Sequence, residues 1–166
     1  MRAKLEKILS QVTIETLEKL AFMFAFTNEG EESYPTGPMS VASVSFTGPF
    51  SGTLVMMIST EVLQELTFNM LGLEEEAEIT EDQRYDALKE TMNIICGNLL
   101  PAIAGDEVVF NIDVPRILPK DIEVKKGAGF PDEREPSARV NFDLDEGQCS
   151  LILFLNGRIP EDIVLL

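Results

Sequence analysis

The chain has 166 residues, 45% of them apolar, and a formal net charge of −16. That length suits one domain with a real core, residues 1–166 together. The charge repels phosphate backbones and anionic membranes, which argues against nucleic-acid and lipid-surface functions. The longest apolar run, Leu20 to Phe26, is far too short to span a bilayer. Histidine is absent, which removes His-based nucleophile activation, acid/base work and metal ligation. Cys96 and Cys149 are far apart and lie in no CxxC context, so neither a disulfide framework nor a zinc site is expected. The N-terminus mixes Arg2, Lys4, Glu6 and Lys7 with isolated apolar residues, unlike a signal or transit peptide, and the expected location is the cytoplasm.

Taken in order, the pattern from about Ala3 to Phe24 predicts an amphipathic helix. Leu5, Ile8, Leu9, Val12, Leu17, Leu20, Ala21 and Phe24 form one drifting apolar face, and Phe22, Phe24 and Phe26 suggest deep burial at its end. Asn28 to Pro38 reads as a polar loop. Val41–Phe46 and Gly52–Ile58 read as two strands around the turn Thr47-Gly48-Pro49-Phe50, with Leu54, Met56 and Ile58 on one face opposite Val44 and Phe46. A helix follows with Ser59 or Thr60 at its N-cap, Val62, Leu63, Leu66 and Met70 inward, and Gly72 as its C-terminal cap. An acidic linker, Leu73 to Ile79, leads to the next helix.

That helix, Thr80 to Leu100, has two faces. Thr80 with Gln83 forms a capping box, and Glu81 and Asp82 sit where the helix dipole favours negative charge. Tyr85, Leu88, Met92, Ile95 and Leu99 recur at three- and four-residue spacing as a core-facing stripe. Asp86, Glu90, Asn93 and Gly97 fall within an arc of roughly 60° on the opposite side. Asp86 and Glu90 are like charges at i,i+4, costing about 0.2–0.5 kcal/mol, and Gly97 costs roughly 1 kcal/mol relative to Ala. A solvated face with a tolerated glycine explains this ribbon; so does a surface that another molecule approaches closely. Cys96 lies between the two stripes and reads as a buried thiol.

Pro101 ends or kinks the helix. Val108 to Val114 alternates as a strand, with Val108, Phe110, Ile112 and Val114 on one face and Asn111 and Asp113 on the other, and Pro115 stops it. Arg116 to Ser137 is a long connection with a short strand at Ile122–Val124; its Gly-Ala-Gly within Lys125–Phe130 follows no strong strand and opens no helix, unlike a nucleotide loop. Arg139–Leu144 and Ser150–Leu155 form a second hairpin around Asp145-Glu146-Gly147, and the tail Ile163–Leu166 docks against apolar surface. This order predicts an α+β fold, a mainly antiparallel sheet with a layer of long helices.

The chain contains no GxSxG, HExxH, phosphate-binding glycine loop or dense metal-ligand cluster. Hydrolysis of an activated phosphoryl group asks little of a catalyst, because its loose transition state mainly needs a positioned water and stabilised charge. A neutral amide such as Asn93 can orient water, and a carboxylate one turn away, Glu90, can pair with a cation beside the phosphate.

Glu90-Thr91-Met92-Asn93, preceded by Asp86 and followed by Pro115, resembles the signature of the CheC/CheX/FliY family of chemotaxis phosphatases, and the run ETMNIICGNL resembles its active helix. The order of helices and hairpins fits the same CheX/CheC-like pattern, and a single motif is similar to CheX rather than CheC, which carries two active helices. The resemblance implies a phosphatase acting on the aspartyl-phosphate of a CheY-like response regulator. Glu90 would contact the receiver's lysine and Asn93 would enter its pocket to orient the attacking water. It also implies Mg²⁺ held by the receiver rather than by this chain, and a homodimer through strand edges. Asp86, Gly97 and Pro115 are its candidate binding residues. Asp86 also reads as a solvated brace, and Pro115 as a strand terminator. A non-catalytic adaptor of the same fold is the competing reading, and a small-ligand sensor using the sheet face is a weaker third.

Overall fold

The computed structural model describes residues 1–29, 37–74, 77–119 and 135–163. Its elements run α1 (Arg2–Ala21), β1 (Phe26–Thr27), β2 (Met39–Thr47), β3 (Gly52–Ser59), α2 (Thr60–Leu71), α3 (Glu81–Ala104), β4 (Asn111–Ile112), β5 (Arg116–Ile117), β6 (Ala138–Leu144) and β7 (Gly147–Leu155). The strands form one sheet in the order β1-β6-β7-β3-β2-β4, with β5 also on β2, and every pairing is antiparallel. The three helices cover one face. Leu5, Leu9 and Leu17 of α1, Leu63 and Leu66 of α2, and Leu88, Met92 and Ile95 of α3 pack on Val44, Phe46, Leu54, Met56, Phe142 and Leu151. This is the antiparallel α+β architecture that the alternating patterns predict.

The sheet's other face carries a smaller cluster. Val41, Val55, Met57, Ile152 and Phe154 are buried there, with Met39 and Leu118 packed against them. The central strands β3 and β7 are therefore apolar on both sides, which is why VMMI and LILF run without alternation.

The end of α1 departs from expectation. Phe22 stops the helix in a left-handed conformation, φ 53° and ψ 32°, and the N–H groups of Phe22 and Met23 donate to the carbonyls of Glu18 and Leu17. Beyond this cap the chain is extended and its side chains alternate. Met23 and Ala25 take the inner positions, which turns the three even-numbered phenylalanines outward. Phe22, Phe24 and Phe26 are 79%, 62% and 68% exposed, not buried.

The expected strand Val108–Val114 is also shorter. Only Asn111 and Ile112 are laddered, although the Asp113 N–H still reaches the Ser45 carbonyl. Ile112 faces Phe46 whereas Ile117 faces Ala42, so five steps along this strand oppose four along β2. The extra residue is a bulge that contains Pro115, whose missing N–H is tolerated where the ladder is already broken. The bulge carries Val114 off the face shared by Phe110 and Ile112, and Val109 and Val114 are exposed. Phe110 stays in, its ring edge-on to Phe46 and Phe50 with centroids 6.0 and 4.9 Å away, over Gly48, where a Cβ would come within 2.5 Å of it.

Pro101 lies inside the last turn of α3, which continues to Ala104 and closes with the Gly105 N–H on the Pro101 carbonyl at 2.8 Å. The proline sacrifices one intrahelical bond rather than the turn. Gly72 caps α2 in the left-handed region, as expected. The expected strand at Ile122–Val124, the Gly-Ala-Gly segment and the last three residues lie outside the described residues; Ile163 packs against the core.

Cys96 and Cys149 are both fully buried, and burial pushes each thiol up to about 12. The folded protein therefore resists alkylation at pH 8, and both thiols should react on unfolding, as thiol titration with and without denaturant would read. The raised values favour the folded state only while the thiols stay protonated in it. This contribution is complete below the ordinary thiol range and is lost as pH climbs toward about 12.

Candidate functional site

The sequence builds α3 as a fixed rod before it places anything upon it. Gln83 N–H donates to Thr80 Oγ1 at 3.1 Å and the Thr80 N–H to Gln83 Oε1 at 2.9 Å, the reciprocal capping box. Arg84 donates to the Ile79 carbonyl at 3.0 Å and ties down the entering chain. Leu88, Met92, Ile95 and Leu99 are fully buried, while Tyr85, expected on the same stripe, is half-buried. Thr91 is buried too, and its hydroxyl donates to the Ala87 carbonyl at 2.8 Å, so its polar atom is satisfied inside the helix. With α1 and α2 packed along it and the sheet beneath, α3 has little freedom to roll.

Asp86, Glu90, Asn93 and Gly97 are all exposed on the outer side of this rod. The spacing argument thus brings all four to one solvent-facing ribbon. Asp86 is not free: Lys89 Nζ lies 3.5 Å from its carboxylate. Such an exposed pair contributes at most about 1 kcal/mol, though it offsets the like-charge cost between Asp86 and Glu90. Lys89 was not legible as a member of the ribbon, because only its i,i+3 reach to Asp86 connects it. Among the described residues, Glu90 and Asn93 have no side-chain hydrogen bond or ion pair. Both are therefore open to a visiting molecule. A Cβ built on Gly97 meets nothing within 4 Å, so no packing among the described residues requires a glycine there. Pro115 is half-buried in the bulge at the sheet edge, not on the ribbon.

The chemistry of this ribbon is incomplete by itself. It offers one unpartnered carboxylate and one neutral amide, a turn apart, on a helix that cannot easily yield. Among the described residues, no group of three or more His, Cys, Asp and Glu could hold a metal ion, and no helix is long and apolar enough to cross a membrane. An amide can orient water and a carboxylate can meet a cation; the electrophile has to be brought by something else.

Among curated proteins, none matches the chain in sequence. Solved structures share its fold. CheX from Desulfovibrio desulfuricans superposes with a TM-score of 0.71 at 16% identity, over 92% of this chain and 99% of that one. CheX from Vibrio vulnificus gives 0.71 at 15% identity, over 94% and 99%. A CheX in complex with CheY, BeF3 and Mg²⁺, from Borrelia burgdorferi, gives 0.59 at 15% identity, over 91% and 97%. The sequence model of the family described as chemotaxis phosphatase CheX matches residues 40–128, which run from within β2 through α3 and its ribbon to beyond β5. That match covers more than half of the chain, and the fold agrees with it throughout: the chain belongs to the CheX family.

Proposed function

We propose that this chain hydrolyses the aspartyl-phosphate of a CheY-like receiver domain. The reading rests on family membership and above all on one observation: Glu90 and Asn93 stand exposed on one side of an anchored helix, unpartnered among the described residues. Asn93 enters the receiver's pocket, where its carboxamide orients a water for attack on phosphorus. The bond from phosphorus to the aspartyl oxygen breaks, releasing inorganic phosphate and the free carboxylate. The water's proton leaves with the products, so no strong base is needed for so loose a transition state. Glu90 pairs with the receiver's lysine and sets the register of docking. Mg²⁺ belongs to the receiver in this reading, and this chain binds no cofactor. A crystallised complex of a family member with CheY supports the choice of partner. A phosphate-release assay against the host's phosphorylated receivers, with and without Mg²⁺, tests the proposal. If no receiver loses phosphate faster with this chain present, the adaptor reading replaces it.

Glu90→Ala should weaken docking more than chemistry. The half-saturating receiver concentration is expected to rise about tenfold, the cost of removing one charge-assisted contact. A binding titration that leaves affinity unchanged would remove the contact assigned to Glu90. The protein is also proposed to be cytoplasmic and a homodimer through strand edges. β1 lies at one end of the sheet; exposed Phe26 lies in it and exposed Phe22 and Phe24 just precede it, apolar surface that a second copy would cover. Sedimentation of Phe24→Ser beside the parent should show the dimer weakened.

A further inference from the structure

Beside the ribbon runs an open groove of about 600 Å³ between α1 and α3. Its floor includes Val12, Ile94 and Ala102, and its rim Glu15, Lys19 and Asn98. Ile94 directly follows Asn93 and Asn98 directly follows Gly97, each about 100° further round the helix. The groove and the ribbon therefore share a border along α3. On α1 the lining extends from Ile8 to Leu20, about 18 Å at the rise of a helix.

We infer that this groove is the second half of the receiver-docking surface and takes an amphipathic helix that flanks the receiver's phosphorylation pocket. The inference rests on the phosphatase reading. Three considerations select this occupant. A specific complex needs about 800 Å² from each partner, more than one helix edge supplies. A body seated on Asn93 has to extend past the ribbon, and on the α1 side it meets a trough rather than a convex wall. In a doubly wound receiver the reactive pocket lies at the carboxyl ends of the strands, bordered by helices, so a pocket placed over Asn93 carries a helix alongside. The trough is long, apolar at its floor and polar at its rim, which matches the apolar ridge of a helix with polar flanks. Lys19 adds a cation at a rim that also carries Glu15, on a chain whose net charge of −16 opposes an acidic partner.

The test fills the trough from α1, the helix that carries no part of the ribbon. Gln11 and Glu15 are exposed groove residues joined only by a weak 3.4 Å contact. In Gln11→Trp/Glu15→Trp, the half-saturating concentration of the cognate phosphorylated receiver is expected to rise at least about tenfold, while the rate at saturating receiver stays within about twofold of the parent. Lys7→Trp, on the same helix but outside the groove, should behave as the parent. Lys19→Glu, which alters charge rather than shape, should raise the half-saturating concentration several-fold at low salt and less at high salt. Asn93→Ala is run beside them to separate the two ideas. If Asn93→Ala is inactive but both groove variants keep the parent's half-saturating concentration, the groove proposal falls and the phosphatase reading stands. If Asn93→Ala remains fully active, both fall. If the groove variants shift the sedimentation coefficient between monomer and dimer, the trough holds a second copy of this chain and the inference is overturned.

Discussion

Asn93→Ala is expected to fold as the parent does and to lose at least about 100-fold in the rate of receiver dephosphorylation, the scale for removing one preorganised hydrogen-bonding group from a transition state. The first half follows from position. Asn93 is exposed and holds no side-chain partner among the described residues, so its truncation should move stability by no more than about 0.5 kcal/mol. The second half follows from scarcity. The ribbon has no other neutral amide: Asp86 is paired with Lys89, Glu90 carries the wrong charge to sit beside a phosphoryl oxygen, and Gly97 has no side chain. Asn93→Asp should be as inactive as the alanine variant despite nearly equal size, because a carboxylate in that place repels the phosphoryl group and offers no N–H. Thermal melts paired with phosphate release from the host's receivers read both halves. An alanine variant within threefold of the parent would show that Asn93 does not handle the water.

The helical parts of this result were legible in the sequence because helices announce their ends and faces locally. Thr80 and Gln83 signal the start of α3, Gly72 the end of α2, and a spacing of three and four residues is enough to turn Leu88, Met92, Ile95 and Leu99 inward and Glu90 and Asn93 outward. What went astray depended on register between distant segments. Period-two alternation places Val114 with Phe110 and Ile112 only if the strand is unbroken, and the bulge opposite β2 breaks it. Helical spacing and apolar character turn the phenylalanines around the end of α1 inward, but a single left-handed residue at Phe22 resets the chain so that Met23 and Ala25 take the inner positions. The groove could not be seen in sequence at all. Its walls are contributed by residues 8–20 and 94–102, and nothing in either segment says that they lie side by side.

Gly97→Ala should stabilise the protein and weaken it as a phosphatase. The stability term is intrinsic: α3 is helical on both sides of the glycine, and the added methyl meets nothing within 4 Å. The gain should approach 1 kcal/mol, the usual difference between the two residues inside a helix. A glycine with that much room to improve invites a reason, and the ribbon supplies one. Gly97 is one turn beyond Asn93 on the same exposed side, so under the proposed function a receiver seated on Asn93 would press on the helix backbone at Gly97. Pro101 sharpens the point. The N–H that would normally donate to the Gly97 carbonyl belongs to residue 101, which is proline and has none. The carbonyl at Gly97 thus lacks its regular i+4 donor. Alanine should therefore raise the half-saturating receiver concentration several-fold, and Gly97→Leu, whose larger side chain stands between the helix backbone and any partner, should raise it about 100-fold or more. Both variants should keep or exceed the parent's melting temperature, which separates loss of docking from loss of fold. Equal affinity in the parent and Gly97→Leu would mean that the receiver does not approach this turn.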